Sequence, residues 1–61
     1  MKTYEIKFSF TDGRPFEYVE IRATDPVTAI LDSEVTDFEI ATITNVATKV
    51  TDAYDIIEFV F

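Results

Sequence analysis

The chain has 61 residues, of which 12 are Asp or Glu and 5 are Lys or Arg, so its formal net charge at pH 7 is −7. This balance excludes a basic face of the kind that binds nucleic-acid phosphates, and an anionic membrane would repel the chain for the same reason. The absence of His and Cys removes the commonest general base, the thiol nucleophile and the usual zinc ligands, and the single Gly excludes a phosphate-binding loop. We therefore expect no enzyme, no catalytic residue, no metal site and no cofactor.

Apolar residues make up 48% of the sequence, including six Phe and three Tyr, which is too much for a disordered chain. We expect a single domain over residues 1–61, held by its apolar core because no Cys can form a disulfide. The N-terminus does not resemble a signal peptide, and no run approaches the roughly 20 apolar residues of a membrane span. The expected location is the cytoplasm.

The first predicted strand covers residues 3–10, TYEIKFSF. Aromatic and aliphatic residues at its even-numbered positions alternate with polar residues, which is the period of a half-buried strand. The Asp12-Gly13 pair that follows supplies the positive φ angles of a tight turn. The strand therefore opens a hairpin.

The second predicted strand covers residues 16–24, FEYVEIRAT, with Val19 and Ile21 on its apolar face. Strict alternation places Phe16 and Tyr18 on the polar face. Either a bulge near Tyr18 turns these rings inward, or two aromatic side chains lie on the outer face of the sheet.

The segment TDPVTAILDSEV, residues 24–35, is the helix candidate. Asp25 is a favourable N-cap and Pro26 suits the first helical position. Ala29 and Ile30 contribute to a short apolar stripe. Because the segment contains β-branched residues of poor helix propensity, tertiary packing must hold this helix.

The threonine-rich segment FEIATITNVATKV, residues 38–50, has strong β propensity. Its alternation is ambiguous, because Ile40 and Ile43 share a face only if the strand contains a bulge, for which Asn45 and Thr44 are the candidate positions. TDAYD is then predicted to be a turn, and DIIEFVF, residues 55–61, to be the last strand.

The order strand–strand–helix–strand–strand predicts an α+β fold, a two-layer sandwich in which a mainly antiparallel sheet carries one helix on one face. The opposite face of the sheet has no cover. The residues expected to fill the space between the layers are Tyr4, Ile6, Phe8, Phe10, Val19, Ile21, Ala23, Ile30, Leu31, Ile57 and Phe59.

The apolar end of the chain, YDIIEFVF, admits two interpretations. In the first, the last strand lies in the middle of the sheet beside the first strand, and its outward residues are scattered surface hydrophobes. In the second, it lies at the sheet edge, where unpaired backbone groups invite a strand of another protein or of a second copy. The residues then predicted to contact a protein partner are Phe16, Tyr18, Glu20, Ile56, Glu58 and Val60.

The acidity suggests a further alternative, a DNA mimic whose carboxylates imitate phosphate spacing. The candidate residues on or near the uncovered face are Glu5, Glu17, Glu20, Asp52, Asp55 and Glu58. Three basic residues, Lys7, Arg22 and Lys49, interrupt that face, and a solubilising surface explains the acidity equally.

One stretch carries a resemblance to known proteins. In IRATDPVTAI and the following FEIATITNV, Ala23 ends a strand, Asp25 caps the helix, Ala29 follows six positions after the first alanine, and Phe38-Glu39-Ile40 begins a strand. From residue 16 to about residue 44 this arrangement resembles very small phage-encoded host-takeover proteins of hairpin–helix–strand type, such as those that inhibit bacterial RNA polymerase. The resemblance implies a protein that occludes a partner surface. Its motif describes packing alone, and the acidity and the added YDIIEFVF segment depart from it.

These features together predict a small protein-binding factor without enzymatic activity. The resemblance implies a phage protein that modulates a host protein in the host cytoplasm, through the open sheet face or the C-terminal edge strand. The alternatives are a structural or self-assembling, homo-oligomeric module and, third, the acidic DNA mimic.

Overall fold

The computed structural model describes the backbone of residues 1–59 and the side chains of residues 1–57. Its elements are strand β1 (Lys2–Ser9), strand β2 (Glu17–Ala23), helix α1 (Pro26–Asp32), strand β3 (Ile40–Asn45) and strand β4 (Thr51–Asp55), followed by a 3₁₀ turn (Ile56–Phe59). The four strands form one antiparallel sheet in the spatial order β2-β1-β3-β4. The predicted α+β class, with an antiparallel sheet and a short helix, is confirmed.

Strand β1 lies inside the sheet, paired with β2 on one side and with β3 on the other. Opposed residues of an antiparallel pair project on the same face, so Ile6 shares its face with Val19 of β2 and Ile43 of β3. Tyr4, Ile6 and Phe8 are all buried. The alternation of β1 therefore decides which face carries the core, and α1 packs on that face against β2 and β1.

Helix α1 begins where the sequence predicts, with Asp25 as N-cap and Pro26 in the first turn. The Asp25 carboxylate accepts hydrogen bonds from the backbone N–H and the hydroxyl of Thr28, at 2.9 and 3.0 Å, and these bonds lower the pKa of that carboxyl. The helix ends at Asp32, short of the predicted residue 35. Glu34 there adopts the left-handed conformation, with φ 63°, that commonly terminates a helix.

Two alanines lie where the helix meets the sheet. Ala23 ends β2 and Ala29 lies in α1, and both are fully buried members of the core cluster. A short helix of seven residues buries little apolar surface, so close approach is needed to hold it. Small side chains at both positions permit that approach.

The core includes more of β3 and less of the C-terminal segment than the sequence predicts, and in α1 it includes Ala29 in place of Leu31. Of the predicted core residues, Tyr4, Ile6, Phe8, Ala23 and Ile30 are buried, and Phe10, Val19 and Ile21 are half-buried. The assignments of Leu31 and Ile57 are wrong, because these side chains are 53% and 73% exposed, and the side chain of Phe59 lies outside the described residues. The buried residues missing from the prediction are Ala29, Phe38, Ala41 and Ile43.

Phe38 contributes an aromatic contact to this core. Its ring packs against that of Phe8 with centroids 5.0 Å apart and planes tilted by 48°. Both side chains are buried, at 2% and 0% exposure. The ring precedes β3, so it was not recognisable from strand alternation.

The predicted bulge near Asn45 is instead a chain reversal. The side-chain oxygen of Asn45 accepts hydrogen bonds from the backbone N–H groups of Ala47 and Thr48, and Lys49 adopts φ 61°. An Asn that bonds to the backbone two residues ahead initiates a turn. The predicted strand over residues 38–50 therefore ends at Asn45.

The last strand also differs from its prediction. TDAYD forms β4 rather than a turn, and the 3₁₀ turn occupies Ile56–Phe59, where a strand over residues 55–61 was predicted. Residues 60 and 61 lie outside the described part of the chain. Within that part β4 pairs with β3 alone, so the last strand lies at the sheet edge; of the two interpretations, the one that places it beside β1 is wrong.

We predict that Phe38→Ala lowers the free energy of unfolding by about 3–5 kcal/mol, because it deletes a buried ring and leaves a cavity beside Phe8. A domain of this length has about 3–9 kcal/mol in total, so the variant loses a large fraction of its stability. Urea denaturation followed by circular dichroism measures the change. Phe16→Ala removes the same side chain from an exposed position and should cost less than about 1 kcal/mol; similar losses in the two variants would contradict the assigned core.

We predict that Glu34→Gly raises the free energy of unfolding by about 0.5–1 kcal/mol, because glycine adopts a positive φ without the steric cost that a Cβ imposes. Glu34→Ala is the matched control, since it removes the same carboxylate and keeps the Cβ. Chemical denaturation of both variants separates the two effects. Equal stabilisation by Ala and Gly would show that charge, and not backbone strain, is responsible.

Candidate protein-binding surface

The sheet face opposite the helix is formed by alternate residues of all four strands, and we call it the open face. None of its residues is fully buried. Its members are Thr3, Glu5, Lys7 and Ser9 of β1, Tyr18, Glu20 and Arg22 of β2, Ile40, Thr42 and Thr44 of β3, and Thr51, Ala53 and Asp55 of β4. The face is therefore mainly polar, with its aromatic content concentrated on β2.

Tyr18 and its neighbour Phe16 lie on the outer side of the sheet. The register pairs Lys7 with Tyr18 without a bulge, so the alternation of β2 holds and the inward-turned alternative is wrong. Tyr18 is 72% exposed and Phe16 is 55% exposed, and the Lys7 ammonium lies 4.7 Å from the centroid of the Phe16 ring. We call Phe16, Tyr18 and Lys7 the aromatic patch.

The loop that leads to the aromatic patch is held by Arg14. Its guanidinium pairs with Asp12 at 2.7 Å and with Asp37 at 2.6 Å, and it lies 4.1 Å from the centroid of the Phe10 ring. These contacts connect the β1–β2 loop to the segment that precedes β3. The hydrogen bonds from Arg14 lower the pKa of the Asp12 carboxyl, and those to Asp12 and Asp37 raise the pKa of the guanidinium. Phe16 follows two residues after Arg14, at the end of the loop that these contacts connect to the segment before β3.

Two carboxylates face each other beside the patch. Glu5 of β1 lies directly opposite Glu20 of β2, and like charges in that position destabilise a strand pair. Together with Tyr18 and the adjoining residues Ile6 and Val19, they line a shallow depression of about 320 Å³. Neither carboxylate forms an ion pair within the described part of the chain.

The outer edge of β2 presents backbone groups that no described strand pairs. The N–H of Val46 donates to the carbonyl of Thr3, so the backbone N–H and C=O groups of the odd-numbered residues of β1 point toward β3. The backbone groups of the even-numbered residues of β1 therefore point toward β2, where they meet those of odd-numbered residues. The N–H and C=O groups of Tyr18, Glu20 and Arg22 consequently point away from the sheet. An edge of this kind is a template for strand addition.

The six residues predicted to contact a partner do not form one surface. Phe16, Tyr18 and Glu20 lie at the β2 edge, whereas Ile56 follows β4 at the opposite edge, across β1 and β3. Ile56 is half-buried and packs against the core, so its side chain does not form one surface with the two aromatic rings. The side chain of Glu58 and the whole of Val60 lie outside the described residues.

The acidic residues proposed for a DNA mimic are likewise divided. Glu5, Glu20 and Asp55 lie on the open face, while the strand register places Glu17 and Asp52 on the face that carries the core. In the described residues no group of three or more acidic side chains is arranged to hold a metal ion. The helix found in the described residues is too short to cross a membrane.

Lys7 was not among the residues predicted to contact a partner, although it lies opposite Tyr18 in the strand pair and its ammonium contacts the Phe16 ring. Its position on the polar side of β1 was visible in the alternation of that strand. Its contact with Phe16 depends on the register between β1 and β2, which the sequence does not give.

Comparisons of the chain with protein-family models, with curated proteins and with solved structures give no match.

We predict that Asp12→Asn lowers stability at neutral pH and has no effect in acid. The folded-state pKa of Asp12 is lowered from its ordinary value of 3.8, so its contribution is complete above that value and is lost as pH falls through the lower folded-state pKa. Thermal unfolding of both proteins from about pH 7 to about pH 2 measures the difference. A difference that persists at the acid end would contradict a role for the ionised Asp12–Arg14 pair.

Proposed function

We propose that this chain is a non-enzymatic protein-binding module that contacts its partner through the aromatic patch on the open face. The observation that carries the proposal is the exposure of two adjacent aromatic side chains, Tyr18 at 72% and Phe16 at 55%, on the sheet face opposite the helix. Large aromatic side chains supply much of the binding energy at protein interfaces. The two-layer arrangement expected from the sequence, with the helix on one face alone, is the architecture that this proposal requires.

The surroundings of the patch indicate the chemistry of the partner surface. Lys7 covers part of the Phe16 ring, and the carboxylates of Glu5 and Glu20 border Tyr18. A partner that places an apolar side chain against Tyr18 and a basic side chain beside the two carboxylates would complement both features. The net charge of −7 also favours approach by a basic surface.

The resemblance of residues 16–44 to phage-encoded host-takeover proteins supports a proposal about the partner and about the cell in which the protein acts. We propose that the partner is a host protein in the cytoplasm of an infected bacterium, whose surface this chain occludes. The DNA-mimic alternative is less favoured, because the carboxylates it requires are divided between the two faces of the sheet.

We predict that the N-terminally tagged protein captures a partner from bacterial lysate and that Tyr18→Ser reduces this capture at least about tenfold, as expected for loss of an aromatic anchor. Val50→Ser is the matched control, since Val50 is 57% exposed and lies beyond β3, outside the aromatic patch. Thermal unfolding of each variant establishes that the fold is retained.

The salt dependence of that capture separates the alternatives. A contact made by the aromatic patch should survive a high-salt wash, whereas a complex with a DNA mimic should dissociate because charge pairs are screened. Equal capture by the wild type and Tyr18→Ser, or complete release of the partner by salt, would contradict the proposed function.

A further inference from the structure

The β2 edge carries two side chains of opposite charge, Glu20 and Arg22, and neither forms an ion pair within the described residues. Glu20 faces the like charge of Glu5 across the strand pair. Arg22, two residues along the same edge, lies opposite Thr3 and forms no ion pair with a described carboxylate. Within the described residues, Glu20 and Arg22 therefore each lack an ion-pair partner.

We propose that a second copy of this chain pairs with the β2 edge, antiparallel, about a twofold axis that passes at Ile21. In this register Glu20 lies opposite Arg22 of the second copy, and Arg22 lies opposite Glu20 of the second copy. Each such pair joins two residues whose backbone groups point outward, so it exchanges both N–H···O bonds of a hydrogen-bonded pair. One symmetric contact thus gives each Glu20 a cationic partner and each Arg22 an anionic partner.

The charges select this register over its neighbours. An axis at Glu20 would oppose the two Glu20 side chains and place four carboxylates in one row with the two Glu5 residues, which is unfavourable. An axis at Val19 would oppose Tyr18 to Glu20 and leave Arg22 without a carboxylate. Among these registers, the axis at Ile21 is the one that places Glu20 and Arg22, the charged residues of β2 on the open face, each opposite a residue of opposite charge.

The core side of the junction is also complementary. Ile21 is half-buried at the edge of β2, and the proposed axis places it directly opposite Ile21 of the second copy. Val19, also half-buried, would lie opposite Ala23 of the second copy. Pairing the two edges would therefore remove apolar surface from water, in the manner of an isologous dimer interface.

The dimer does not depend on the proposed function, and it would occupy Glu20, one of the two carboxylates beside which a partner would place a basic side chain. Tyr18 would lie opposite Thr24 of the second copy, with its side chain still on the open face. The two open faces would join into one sheet that carries an aromatic patch on each half. Because each copy has a net charge of −7, long-range repulsion opposes the dimer at low salt and is largely screened at about 0.15 M.

The first test is the mass of the purified full chain, measured by sedimentation equilibrium from about 5 μM to about 1 mM in about 0.15 M salt. We expect the wild type to reach the dimer mass, and Arg22→Glu to weaken the dimer at least about tenfold because it adds like charges to the junction. Lys49→Glu makes the same change in net charge within the β3–β4 loop and should leave dimerisation unchanged. The double variant Glu20→Arg with Arg22→Glu restores opposite charges and should restore the dimer.

The second test fixes the register. The chain has no Cys, and residues opposed at a non-hydrogen-bonded pair lie about 4.5 Å apart between Cα atoms, which a disulfide can span. We expect Ile21→Cys to form a covalent dimer under mild oxidation and Val19→Cys to form far less. Circular dichroism of both variants shows whether the fold is retained.

Each outcome bears on the dimer alone. A monomer at every concentration, or a dimer that the double variant does not restore, overturns the proposal. Preferential cross-linking through Val19→Cys overturns the register. Capture of a lysate protein by a chain that remains monomeric would support the proposed function and still exclude this dimer.

Discussion

The arrangement of this protein depends on β1 being paired along both sides. Its alternating residues bury Tyr4, Ile6 and Phe8 on one face and leave polar residues on the other. Because both neighbouring strands take their register from β1, the same alternation is imposed on them. A slip of one residue would expose the core and bury Lys7, so one strand fixes the identity of both faces.

Helix α1 depends on its packing against the sheet for its stability. It has seven residues, a good N-cap and a left-handed residue soon after its end, and its buried surface is little more than Ala29 and Ile30. A helix of that size covers only part of a four-stranded sheet. The remaining burial is supplied by Phe38 and by the inward residues of β3, which explains why the segment after the helix matters as much as the helix itself.

The distribution of charge follows from the two faces. Among the residues whose side chains are described, none that is charged is buried, so their acidic groups lie on exposed surface, where the open face and the β2 edge bring some of them together. The opposition of Glu5 and Glu20 is tolerated because both carboxylates are exposed and solvated. The aromatic patch lies beside this acidic pair, and the proposed function starts from that juxtaposition.

The sequence by itself determined the elements whose signals are local. The period of β1, the turn at Asp12-Gly13 and the start of the helix at Asp25-Pro26 are all found, since each depends on neighbouring residues. The strand order, the identity of β4 and the outward position of Tyr18 were decided by tertiary structure. These features depend on which strands pair and in what register, and that choice maximises burial over the whole chain rather than within any segment.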